Sequence, residues 1–64
     1  MRTQIHFTSE RLKEVRELAG HSQGDLAFNL HCDRKTISRW ELGHHRVSDI
    51  FKRKLVNIYP ELIN

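Results

Sequence analysis

Arg34, Lys35, Ser38 and Arg39 are the residues whose types and spacing best suit them to chemistry. Wound at about 100° per residue, they fall with Leu42 on one side of a helix, while Ile37 and Trp40 fall on the other. One face is built for packing and the other for contact. Arginine and lysine donate to the O6 and N7 atoms of guanine, and serine donates or accepts. Such a face suits the reading of base edges in a DNA major groove. An ordinary solvated helix surface has the same composition, so the neighbouring segments must decide between the two.

A helix over 34–42 begins after Asp33, whose carboxylate is expected to cap it by accepting orphan amide protons at the positive end of the helix dipole. The preceding segment predicts a helix over 23–30. Ser22 is its cap, Asp25 lies in its first turn, and Leu26, Ala27 and Leu30 form its apolar stripe. Ala27 is small enough to let the two helices cross closely. Only His31 and Cys32 separate Leu30 from the Asp33 cap, so the helices must cross steeply and share a core.

With these residues in place, residues 11–58 resemble the helix-turn-helix DNA-binding domains of the lambda-repressor and Cro-like (XRE-type) superfamily. The similarity is carried by Ser22-Gln23, Leu26-Ala27, Leu30, the run Ile37-Ser38-Arg39-Trp40-Glu41, and Gly43. The resemblance implies a compact all-α, four-helix domain with a short N-terminal arm or strand. It implies base or adjacent phosphate contacts from Arg34, Lys35, Ser38 and Arg39, and phosphate contacts from Gln23 and Thr36. It also implies that Arg16, seven residues before Gln23, pairs with Glu41 and braces the first helix against the recognition helix. Two positions depart from the family pattern. His31 stands where glycine usually occupies the turn in a left-handed conformation, which histidine adopts at some cost; a local hydrogen bond from it would offset part of that. Val47-Ser48 stands where a proline commonly precedes the next helix.

The remaining segments read as support. A first helix is expected over 9–19, with Thr8 as its cap, Gly20 as its stop, Leu12, Val15 and Ala19 as its buried stripe, and Leu18 beside it. Gly43 should end the recognition helix. A fourth helix is expected over 49–59, capped by Ser48, with Phe51, Leu55, Ile58 and Tyr59 inward, and Pro60 stopping it. Residues 2–7 alternate polar and apolar, which fits either a short strand or a cover in which Ile5 and Phe7 lie on helix 1. Leu62 and Ile63 pose the same choice between packing and pairing. Phe28 lies off its helix's apolar stripe, so it either packs under a terminal arm or marks a partner surface.

Sixty-four residues predict a single domain, 1–64, with a small core. Net charge is +3, but residues 34–54 carry seven basic and two acidic side chains, a net of +5. That polarity is the electrostatic footprint expected for a polyanion. His44, His45 and Arg46, in the loop after the recognition helix, are placed near phosphates. Protonation of the two histidines would strengthen binding as pH falls from about 8 to about 6. The five histidines and Cys32 lack the paired Cys-x-x-Cys or His-x-x-x-His spacing of a zinc site, so no metal and no cofactor are expected. Cys32 is alone, which fits a small apolar role in a reducing, cytoplasmic setting. No apolar stretch approaches the roughly 20 residues of a membrane helix. No catalytic set and no phosphate loop is present, so neither an enzyme nor a small-molecule ligand is expected.

These readings converge on a sequence-specific transcription regulator, a small Cro-like repressor of phage or bacterial type. Its partner is a double-stranded DNA operator. One recognition helix reads about four base pairs, so a homodimer on an inverted repeat is expected. With no room for a ligand-sensing domain in this length, control would come from concentration and operator competition. The alternative is a protein-interaction module on the same fold, an antitoxin or an antagonist of another regulator, in which Arg34, Lys35 and Arg39 grip an acidic partner.

Overall fold

The computed structural model describes residues 7–62. Four α-helices follow in order, α1 (Ser9–Leu18), α2 (Gln23–Leu30), α3 (Arg34–Glu41) and α4 (Asp49–Ile58), and a 3-10 turn at Pro60–Leu62 follows α4. The expected helices at 9–19, 34–42 and 49–59 each end one residue earlier, because Ala19, Leu42 and Tyr59 serve as C-caps. Apart from Phe7, the segment expected as a strand lies outside the described residues, and so does Ile63. Among the described residues there is no strand, and no helix is long and apolar enough to cross a membrane.

Local chemistry sets the helix starts. The Thr8 hydroxyl accepts the Arg11 amide proton at 3.1 Å, and the Ser48 hydroxyl faces the Phe51 amide at 3.5 Å. Ser22 and Asp25 form a reciprocal capping box, with bonds of 3.0 and 2.9 Å. Asp33 departs from expectation. It occupies the N-cap position of α3, but its carboxylate makes no capping bond. The reason lies in the main chain: the Thr36 amide, the usual target of such a cap, donates to the Asp33 carbonyl at 3.0 Å.

Three helices end in the same way. Gly20, His31 and Gly43 have φ of 76°, 56° and 78°. The amides of His21, Cys32 and His44 each reach back five residues, to the carbonyls of Arg16, Ala27 and Arg39. This double-backed ending satisfies carbonyls that the helix leaves open. His31 thus adopts the left-handed conformation for which glycine is the usual residue.

The core is made by Leu12, Leu26, Leu30, Ile37 and Leu55, all fully buried, with Val15, Ala27, Trp40, Tyr59 and Leu62 around them. Phe7, Cys32, Val47, Phe51, Val56 and Ile58 pack against it partly buried. Leu62 closes the bottom of α1 and α4 from the 3-10 turn, so the tail turns inward after Pro60. The expected stripe of α1 needs one correction. Ala19 is exposed, and the third inward residue is Arg16, at 7% exposure. Ala19 is the C-cap residue past the end of α1, whereas Arg16 meets a carboxylate inside. Leu18 and Phe28 are 79% and 81% exposed.

Candidate nucleic-acid interface

α2 packs on α3 through Leu26, Ala27 and Leu30 against Ile37 and Trp40. Ala27 is buried beside α3 and presents only a methyl group there. Ile37 and Trp40 are buried, which fixes the rotation of α3 about its axis. Trp40 is held in turn by Phe51 of α4, with tilted rings whose centroids lie 5.1 Å apart. The rotation that buries Ile37 and Trp40 leaves Arg34, Lys35 and Arg39 exposed, with Thr36 and Ser38 half-exposed on the flanks. Among the described residues none of the three cations forms an ion pair.

His44, His45 and Arg46 follow α3 in an exposed loop. His45 and Arg46 come together with Thr36, Arg39 and Ser48 around a shallow depression floored by Trp40 and Phe51. The depression offers hydroxyl and cationic donors from three successive segments. Lys54 lies with its Nζ 5.5 Å from the Phe51 ring, a favourable cation–aromatic geometry that keeps its charge beside the same region.

A buried polar network braces this surface from behind. The Arg16 guanidinium donates through Nε and Nη2 to the two oxygens of Glu41, at 2.6 and 3.0 Å. Its Nη1 donates to the His21 carbonyl at 2.7 Å. Hydrogen bonding and charge from Glu41 hold the Arg16 pKa above its ordinary value, against the opposing effect of burial. Gln23 was expected to face a phosphate. Its Nε2 donates to Glu41 Oε1 at 3.1 Å, so one carboxylate ties together α1, the start of α2 and the end of α3. Sequence reasoning missed this link, since nothing local connects residues 23 and 41. His21 Nδ1 and the Tyr59 hydroxyl lie 2.7 Å apart and extend the bracing to α4. Burial pushes the Tyr59 pKa up.

A short α2, a tight left-handed turn and an α3 with one buried and one cationic face define a helix-turn-helix unit, the class of fold that presents a helix to duplex DNA. The chain belongs to the XRE-type helix-turn-helix family, whose model matches residues 12–59. That family is one of DNA-binding regulators and is generally non-enzymatic. The chain is similar to a Pyrococcus furiosus protein provisionally named an HTH-type transcriptional regulatory protein, at 37% identity over 57 residues. The match covers 89% of this chain and 18% of that relative, so the chain spans under a fifth of its length. No solved structure gives a significant match.

Proposed function

We propose that this domain is the base-reading part of a transcription regulator, a Cro-like repressor that occupies an inverted-repeat operator as a dimer. The observation that carries the reading is the exposure of Arg34, Lys35 and Arg39 on a helix whose opposite face is locked into the core by Ile37 and Trp40. Arg34, Lys35, Ser38 and Arg39 contact base edges in the major groove. Gln23, Thr36, His44, His45 and Arg46 contact flanking phosphates, Gln23 through the amide hydrogen that Glu41 leaves free. Two such helices related by two-fold symmetry would sit about 34 Å apart along one face of the duplex. Occupying a promoter in this way excludes polymerase.

The test is selection of bound duplexes from a pool randomised at its centre, at near-physiological salt, where non-specific affinity is weak. An inverted repeat with fixed half-site spacing is the expected result. Recovery of no motif, with binding that vanishes as salt rises, would overturn the reading and favour a module that grips an acidic protein through the same cations.

A further inference from the structure

Asp33 stands apart from the other helix-capping residues. Thr8, Ser22 and Ser48 all turn their side chains onto the helices they begin. Asp33 does not. The amide it would cap is satisfied by its own main-chain carbonyl, and the Asp33 side chain is exposed. Among the described residues it forms no ion pair, although Arg34 and Lys35 follow it directly. A full acceptor is therefore left unused at the leading end of α3.

Its position gives that acceptor a use. In a helix-turn-helix unit the N-terminal residues of the second helix are the ones that reach base edges. A carboxylate only accepts hydrogen bonds. In the major groove it can accept from the N4 amino group of cytosine; adenine N6 also donates, but the neighbouring N7 lone pair repels the carboxylate, and guanine O6 and N7 and thymine O4 present only lone pairs to it. Against a polyanion a carboxylate costs binding wherever it lacks such a donor, so it selects by repulsion as well as by attraction.

We infer that Asp33 is a specificity-determining residue, which selects cytosine at one position of each half-site beside the positions read by Arg34 and Lys35. The inference rests on the base-reading function proposed above. Its purpose is discrimination, and α3 keeps its start without the side chain, because the Asp33 main-chain carbonyl takes the amide in its place.

The experiment selects duplexes from a centrally randomised pool with wild-type protein, Asp33→Asn and Asp33→Ala, and records thermal melting of all three. Wild type should enrich cytosine at one half-site position. Asp33→Asn should move that preference to adenine, since an amide pairs with adenine N6 and N7. Asp33→Ala should lower discrimination there by roughly tenfold, leave the other positions unchanged and melt only slightly below wild type, since it loses only the charge–dipole attraction. A wild-type motif that both variants reproduce unchanged would overturn the role of Asp33 while leaving base reading intact. A motif lost at every position, with a strongly lowered melting temperature in Asp33→Ala, would make Asp33 a structural cap and also overturn the inference. Wild type yielding no motif would overturn the base-reading function itself.

Discussion

Arg16 and Glu41, 25 residues apart, meet in a two-pronged ion pair in which both side chains are less than a tenth exposed. A guanidinium and a carboxylate match in shape, so two parallel hydrogen bonds form at once. The pair ties α1 to the last turn of α3, and the third Arg16 nitrogen ties both to the loop before α2.

Glu41→Gln should lower the stability of the domain by about 3–5 kcal/mol, because it strands the Arg16 charge in a site closed to water. Urea unfolding monitored by circular dichroism measures the loss. An unchanged midpoint would mean that water reaches the pair. Arg16 has a raised pKa, so its contribution is complete below its ordinary alkaline value. It is lost only as pH climbs through the higher folded value, outside the working range.

Ser22→Ala should cost about 1 kcal/mol through loss of the α2 cap. The partner carboxylate adds a pH signature. The Ser22 backbone amide, and then its hydroxyl, hold the Asp25 pKa below its ordinary value. The stabilisation from Asp25 is therefore present above the unfolded value of about 4 and is lost as pH falls through the lower folded one. Wild type should lose its advantage over Asp25→Asn as pH drops through that range. A constant difference between the two would break the link to the capping box.

His31→Gly should stabilise the domain by about 1 kcal/mol, since glycine adopts φ of 56° without a Cβ clash. The His31 amide already donates to the Ala27 and Phe28 carbonyls, which does not depend on its side chain. His31→Val should destabilise, because a branched Cβ fits that region worst. If the glycine variant melted lower, its greater unfolded-state entropy would outweigh the relief of strain.

Cys32 should react slowly with iodoacetamide at neutral pH. Burial first, and then the nearby Asp33 charge, push its thiol pKa up, so little thiolate is present. Alkylation as fast as that of a short cysteine peptide would show that the turn opens.

Arg46→Ala should weaken binding to every duplex alike and reduce the salt dependence by about one phosphate's worth, while Arg39→Ala should cost ~1–3 kcal/mol and relax selectivity at one position. Titrations on selected and scrambled duplexes at several salt concentrations separate the two effects. Equal losses on both duplexes for Arg39→Ala would move that residue to the phosphate backbone.

Helical period, cap chemistry and turn length are local properties, and they were legible. The four helices, the stops at Gly20 and Gly43, and the outward direction of Arg34, Lys35 and Arg39 all depend on residues within one or two turns of one another. What depends on distant partners was not legible in local pattern; the one such contact expected, Arg16 with Glu41, came from the family resemblance alone. Ala19 has the right type and spacing for the core, yet it is exposed as the C-cap residue past the end of α1. Gln23 is held by Glu41 only because the α2–α3 crossing brings them within 3.1 Å. Asp33 has a capping residue's identity and place, yet a main-chain bond took the amide it would have used. Leu62 is buried because the chain turns inward after Pro60. The sequence by itself determined the helices and which face of each is apolar, since both follow from the 3.6-residue repeat. Only the tertiary structure decided that Gln23 meets Glu41 and that the Asp33 carboxylate makes no cap, since that depends on interhelix distances and main-chain geometry that no local pattern encodes.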